Sequence, residues 1–576
     1  MRADKSGNHV YEENIEAYEH NKKAHTGFYL QAYTHLAVFG AGKGKAFERY
    51  TEAFCANVRE TEVNINYGTT AAAADVSTAD CIASAVYGGG EDGHVYENTA
   101  VNITGGLIGL SVYGGGKGEG TYKGKLRSRT SPYDWNDDLI DLPSWTAGKV
   151  YGNTSVNMSG GHVLVNIYGG GNNADYRPTS TDEYAEVIIE GCDLTSIKDV
   201  YGGGNAAATP ANSVLVKGYY VIDNVFGGGN GTVTAANVGY NETGYVTKGT
   251  AKTNLSGGYI HNVYGGSNSQ GNVLGGASVT NDKYTGDGCC DVLQVQEMYG
   301  GGKNANMFGG AEIVLGCMPD SWIDEIYAGA ENADVGNDVS LTITSGKFGR
   351  VFGDNKSGGK LDGYIEVNIE EGNCDTPIII GELYGGSNMA PYSIYGYDDE
   401  NHGAVRTAPV EDQTPHTSPR VNVRAFTSIG AIYGGGYGER AVMVGSPTVN
   451  INVVMAEDGG KAYAGETKTL TDDDGNETSV VLYPHENGKI GVIGTVFGGG
   501  NAAMVDGNTN VNIGTESSVK FESQTDDTIE GSDKRVSKTV VGADIKGNVY
   551  GGGNNAKVTG NTNVVIGQEK VTTTTP

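Results

Sequence analysis

The chain has 576 residues, 93 of them glycine, and its 69 acidic against 39 basic side chains leave a net charge of −30. That balance argues against a polyanionic partner such as nucleic acid or an acidic membrane surface. No apolar run reaches the length of a membrane span, and no sustained 3.6-residue apolar rhythm supports helix.

Residues 1–26 carry no recurring pattern, and Met1-Arg2-Ala3-Asp4-Lys5 lacks the apolar core of a signal peptide. From residue 27 to 567 one phrase returns: an aliphatic residue, an aromatic, then glycines, often closed by Asn. Its first, worn copy is Val38-Phe39-Gly40-Ala41-Gly42. Full copies centre on Tyr87, Tyr113, Tyr168, Tyr201, Phe226, Tyr264, Tyr299, Tyr384, Tyr433, Phe497 and Tyr550. Worn copies include Val150-Tyr151-Gly152-Asn153 and those at Tyr327 and Phe352. About fifteen copies, the tightest spaced about 25 residues apart, are the signature of a stacked repeat, with a period suited to one coil of a β-solenoid.

The unit explains itself in the stretch Asn98–Tyr113. Val101 and Ile103 flank Asn102, the alternation of a half-buried strand. Thr104-Gly105-Gly106 supplies a turn, and Ile108, Leu110 and Val112 alternate as a second strand. Pairs such as Ile197/Val200, Ile260/Val263 and Ile429/Ile432 are three apart, which breaks alternation and predicts a bend with both side chains inward. The glycine run forms a corner at which backbones lie close. The predicted fold is all-β: a single elongated parallel β-solenoid of about fifteen coils, a rod roughly 70 Å long at the strand spacing. Residues 1–26 form a poorly defined N-terminal segment, 27–567 the solenoid and 568–576 a Thr-rich tail. Like residues line up in columns, so Tyr87, Tyr113, Tyr168, Tyr201, Phe226, Tyr264, Tyr299, Tyr327, Phe352, Tyr384, Tyr433, Phe497 and Tyr550 form an aromatic ladder and the asparagines an amide ladder. Whether the aromatic ladder faces inward or covers a corner is left open.

Three insertions interrupt the repeat, 117–148, 454–489 and 514–544, and solenoid insertions map to loops, often on the binding face. The first carries Lys123, Lys125, Arg127, Tyr133 and Trp135, aromatics beside charges that suit a sugar ring or a protein partner. A solvated loop folded onto the solenoid, its aromatics forming a small satellite core, is the competing reading. In the second, Asp472-Asp473-Asp474-Gly475-Asn476-Glu477 falls short of a calcium loop and reads as a hairpin tip between residues 468–470 and 480–482.

Of seven cysteines, Cys290 and Cys317 fall in register on adjacent coils, within disulfide range; a ladder of small buried thiols is the alternative. The odd number, with no Cys-x-x-Cys, gives no zinc site. Phe39-Gly40-Ala41-Gly42-Lys43-Gly44 lacks the spacing and Ser/Thr of a phosphate loop, and His162, after Gly160-Gly161, reads as a strand start. No catalytic set, metal site or cofactor is assigned.

The phrase Val-Tyr-Gly-Gly-Gly-Asn, with its partner Gly507-Asn508-Thr509-Asn510-Val511-Asn512-Ile513, resembles tandem glycine-aromatic repeats of large bacterial secreted and cell-surface proteins with adhesin-like β-solenoid architecture. The resemblance covers residues 27–567 and implies an extracellular or cell-surface location, with signal and anchor in other parts of a longer protein. It brings no catalytic motif. The leading functional expectation is a non-enzymatic structural or adhesive solenoid presenting loops to glycans or proteins, without membrane insertion. A polysaccharide lyase or glycoside hydrolase of β-helix type would instead need two carboxylates and a basic residue converging on one sheet face. A phage or appendage fibre is the third alternative.

Overall fold

The computed structural model describes residues 37–44, 56–66, 81–118, 122–124, 140–142, 147–174, 182–191, 195–218, 220–239, 241–242, 245–246, 249–281, 292–316, 321–370, 377–398, 404–456, 467–471, 477–481, 491–516 and 538–567. For some of these strand residues, the insertion strands among them, only the backbone is described. The described residues contain no helix and are organised as parallel β-solenoid. They fall into two compact units, residues 1–311 with 330–336, and residues 312–329 with 337–576. Each unit is a stack of three-faced coils.

In the first unit the first face is built from the Thr-x-Val-Asn-Ile segments. Thr61–Ile65 pairs in parallel with Thr99–Ile108, which pairs with Thr154–Tyr168, and the series continues through Ala185–Ile189, Asn212–Val216, Ala251–Leu255 and Ala277–Asn281. The register is residue for residue: Val63, Val101 and Val156 align, as do Asn64, Asn102 and Asn157. The second face carries the aromatic motif, from Val38–Phe39 through Val86–Tyr87 and Val112–Tyr113 to Leu293–Tyr299. The second unit repeats the plan. Its first face runs from Val339–Ile343 to Thr562–Ile566, and its second from Trp322–Tyr327 to Val549–Tyr550.

The third face was not foreseen. It consists of single parallel bridges, Val58 to Val95 to Val150, and Thr209 to Val238 to Val273 to Met307 to Val335. In the second unit it widens into two-residue strands, Tyr392–Ser393, Met443–Val444 and Val505–Asp506. Its apolar residue usually stands four before the first-face strand, as in Val95/Thr99, Val273/Ala277 and Val505/Thr509. Val150-Tyr151 belongs here, because Val150 bridges Val95. It is therefore not a copy of the aromatic motif, and Tyr113 stacks directly on Tyr168 at 4.9 Å.

Two further expectations are corrected. Thr99–Ile108 is one continuous strand, in which Gly106 takes φ +94° and the register slips, so the chain bends without a separate turn. His162 likewise lies inside the 15-residue strand Thr154–Tyr168, buried, with Nδ1 3.2 Å from Ser196 Oγ. The three-residue spacing of Ile260 and Val263 does put both inside, around half-exposed His261 and Asn262.

Val and Ile of the three faces fill a dry interior: Val101, Val112, Val156, Val163, Ile167 and Val187 are fully buried. Each contributes about 1.5–3 kcal/mol relative to exposure. The aromatic ladder faces inward. Tyr264, Tyr299, Tyr327, Phe352 and Tyr384 are at most 1% exposed. Successive rings stack at 4.7–4.9 Å with interplanar angles of 11° or less, from Phe39 to Tyr299 in the first unit and from Tyr327 to Tyr550 in the second.

The glycine corner has a steric cause. A Cβ built on the first motif glycine would meet the carbonyl oxygen of the same glycine in the next coil, at 2.2 Å for Gly114 against Gly169 and 2.3 Å for Gly434 against Gly498. The first-face threonine completes the corner from inside: Thr99 Oγ1 donates to the Gly114 carbonyl at 2.6 Å and Thr154 Oγ1 to that of Gly169 at 2.7 Å. That bond satisfies a buried acceptor and explains Thr ahead of the Val-Asn-Ile run.

Gly114→Ala should therefore destabilise the protein by about 1–3 kcal/mol or more. Gly552→Ala, at the same motif's second glycine where a Cβ would meet nothing within 4 Å, should be near neutral. Denaturant unfolding of the two variants measures the difference.

Candidate functional site

Outward-facing residues on the second face form columns just before each motif aromatic. In the first unit Asn224 Nδ2 donates to Asp199 Oδ1 at 2.6 Å and Asn262 Nδ2 to Asn224 Oδ1 at 2.9 Å. The asparagines that close the glycine run form a second ladder, Asn172, Asn205, Asn230 and Asn268, joined at 2.7–2.8 Å. It touches the phenol edge of the ring stack, since Asn230 Nδ2 reaches the Tyr168 hydroxyl at 3.1 Å. Carboxylates join this edge further on: Tyr264 donates to Glu331 Oε2 at 2.5 Å and Tyr299 to Glu297.

In the second unit the same column reads Glu325, Arg350, Glu382, aligned on neighbouring strands. These are two carboxylates and a cation on one sheet face. The Arg350 guanidinium pairs with Glu325 and lies 5.6 Å from the Tyr437 ring centroid and 5.9 Å from that of Phe352. Tyr327 donates to Glu325 Oε2 at 2.5 Å and Tyr384 to Glu382 Oε2 at 3.1 Å. Asn388 and Asn501 donate to those same hydroxyls at 3.0 and 3.2 Å. Burial opposes the charge on Arg350, but the charge and hydrogen bond of Glu325 outweigh it and raise its pKa. The guanidinium is thus a fixed cation, and the phenols occupy carboxylate oxygens that acid–base catalysis would need directed at a substrate proton.

A different surface lies on the third face of the first unit. Tyr96 is 44% exposed and packs on Tyr151 with ring centroids 5.6 Å apart, tilted by 40°. His94 meets Tyr151 edge-on at 6.0 Å and accepts from the Lys149 N–H at 3.0 Å. Asn57 donates to the Tyr96 hydroxyl at 2.9 Å, and Arg59 pairs with Glu97 at 2.7 Å. Two coils thus offer an aromatic surface with a polar, charge-balanced rim.

The 117–148 insertion is rooted beside it. Gly118 N–H donates to the Glu91 carbonyl and Gly148 N–H to that of Asp92, at 2.7 and 2.9 Å, while Lys117 Nζ lies 3.4 Å from Glu91. Within the insertion Tyr122–Gly124 pairs antiparallel with Ile140–Leu142, which sets the backbone of Lys123 opposite Asp141. Lys125, Arg127, Tyr133 and Trp135 lie outside the described residues, as do Cys290 and Cys317. The break in the repeat marks the insertion but not Tyr96 and Tyr151, because Val150-Tyr151-Gly152 imitates the aromatic motif; the signal for both is Val four residues before Thr, repeated at Val95-Tyr96 and Val150-Tyr151.

The other two insertions meet each other: Val453–Ala456 pairs antiparallel with Lys538–Val541. Thr467–Thr471 and Glu477–Val481 form the hairpin expected around residues 472–476. Arg424 binds Glu516 through two nitrogens at 2.9 and 3.0 Å. Among the described residues no group of three or more His, Cys, Asp or Glu is placed to hold a metal, and no helix is long and apolar enough to cross a membrane.

No protein-family model, curated protein or solved structure matches the chain.

Burial raises the pKa of the ladder phenols Tyr113, Tyr168, Tyr201, Tyr264, Tyr299 and Tyr384. A spectrophotometric titration taken to about pH 11, beyond the ordinary phenol value, should leave these six neutral while the fold persists. Tyrosinate absorbance equal to full ionisation before unfolding would contradict the buried stack.

Proposed function

We propose that the chain is a non-enzymatic structural and adhesive β-solenoid, exposed outside a bacterial cell, that presents its third face and insertions to a glycan or protein partner. The observation that carries this reading is the Tyr96–Tyr151 surface at the root of the 117–148 insertion. Flat rings flanked by amide and paired ionic groups match a saccharide ring, whose C–H face packs on aromatics while its hydroxyls bond the rim. The coil stack supplies a rigid base for such a surface, and a binding residue held by its neighbours loses little entropy on engagement. The adhesin-like glycine-aromatic resemblance points the same way.

The Glu325–Arg350–Glu382 column supports a second reading, a polysaccharide lyase or hydrolase. The hydrogen bonding of both carboxylates to ladder phenols weighs against it, since neither is left with both oxygens directed outward.

On a glycan array the full chain should bind at least one saccharide, and Tyr96→Ala with Tyr151→Ala should weaken it about tenfold or more, as loss of about 1.5 kcal/mol of ring contact implies. In parallel, release of reducing or unsaturated ends from anionic polysaccharides should stay at background. Release abolished by Arg350→Met would replace the adhesive reading with the enzymatic one, and binding unaffected by the tyrosine pair would move the site elsewhere.

A further inference from the structure

One coil of the second unit departs from glycine at the motif's second position. Its motif reads Val351-Phe352-Gly353-Asp354-Asn355, so an aspartate stands in the slot of the second glycine. In other coils a Cβ at that slot would run into the next coil, against its backbone in most cases, as Gly115 on Gly171 N (2.8 Å) and Gly435 on Gly500 N (2.8 Å), or against its third-face side chain, as Gly170 on Thr209 Cγ2 (2.7 Å) and Gly386 on Met443 Cε (2.7 Å). Asp354 follows that direction and is 1% exposed, and its neighbour Asn355 is wholly buried. One carboxyl oxygen, Oδ1, accepts the Asn355 N–H at 2.6 Å; the other, Oδ2, has no hydrogen-bond partner.

The groups around it do not answer a negative charge. From the next coil, Tyr392 donates to the Gly363 carbonyl and Tyr397 to that of Pro391, so both hydroxyl protons are committed elsewhere. Burial first, then the Asp354 charge, push both phenols up. The preceding coil brings Asp338, and Asp362, which holds His416 at 2.9 Å, acts on Tyr392 as well. On the same segment as Asp354, the Lys356 and Lys360 ammonium groups stand over the Tyr327 and Tyr397 rings at 5.7 Å.

We propose that Asp354 is a proton-operated latch: as a neutral acid it lets the corner of this coil close, and as a carboxylate it opens the corner by leaving the interior or drawing water in. Burial without a partner for Oδ2 penalises the charged form, and burial raises the carboxyl to about 7, partly offset by the Asn355 N–H. The folded value lies above the unfolded one, near 4. The stability associated with the neutral acid is therefore complete below about pH 4 and is lost as pH rises through about 7. The segments that must yield are 353–361 and 386–397, which line the slot.

The test compares the full-length wild type with Asp354→Asn and with Asp354→Gly, the latter restoring the residue of the other coils. Thermal unfolding from about pH 4 to about pH 9 should show the wild type's folded-to-unfolded ratio falling relative to Asp354→Asn by about tenfold per pH unit up to about 7, then levelling. Deuterium exchange above about pH 7 should be faster in 353–361 and 386–397 of wild type than in the variant at the same pH. A wild-type-to-variant difference that is constant across the range, in both measurements, overturns the latch. If Asp354→Asn fails to fold, Asp354→Gly serves as the pH-insensitive reference, and the same outcomes decide.

Discussion

The corner depends on the close approach of one glycine to the carbonyl of the same glycine one turn later, in a slot that among the described motif copies only Ala328 fills with a side-chain carbon. The strands on either side take their spacing from that approach. With no Cβ in the way, Gly114 N–H reaches the Tyr168 carbonyl at 2.9 Å and Gly115 N–H that of Gly170 at 3.1 Å. The corner then has the strand spacing of the faces beside it, so the rings immediately upstream are held at stacking distance. The threonine of the first face bonds back to that glycine carbonyl, tying two faces together across the interior. Sequence economy follows: three short phrases, one per side of the coil, specify the whole cross-section.

Much of this was legible because the repeat is written in residues with narrow physical roles. Val-Asn-Ile means inward, outward, inward; an aromatic before glycines means a ring beside a corner. The third face was harder, since one apolar residue such as Val238 or Met307 makes no periodic pattern by itself and is recognisable only by its distance to the next strand. Val150-Tyr151 misled because it imitates the motif in composition while its bridge to Val95 places it on another face. The pairing of Val453–Ala456 with Lys538–Val541 joins segments separated by a whole coil, a contact that no local pattern encodes.

The candidate site was less legible for a related reason. Repetition makes structural residues conspicuous and leaves anything that occurs once to be judged against them. Arg350 between Glu325 and Glu382 is invisible until strands are aligned, because the three are about thirty residues apart and share only a register. Once aligned, they take the register position that in the first unit holds Asp199, Asn224 and Asn262. The charges therefore take part in the same lateral hydrogen bonding as the amides and are stabilised by mutual pairing in a partly desolvated setting. Asp354 is the opposite case: the one departure from glycine at its slot in the second unit, conspicuous in the text, whose meaning emerged only when its carboxyl was seen to be buried.

The asparagine ladders share a direction. Asn102 donates to Asn64 and Asn157 to Asn102; Asn205 to Asn172, Asn230 to Asn205 and Asn268 to Asn230; Asn422 to Asn368, Asn450 to Asn422 and Asn512 to Asn450. In each case the later coil gives the proton and the earlier coil receives it. Aligned side-chain dipoles polarise one another, so each stack has an electrical head and tail. A turn of solenoid added in the same sense would extend the series, whereas a reversed one would set like poles against each other, giving growth by duplication a one-way grain.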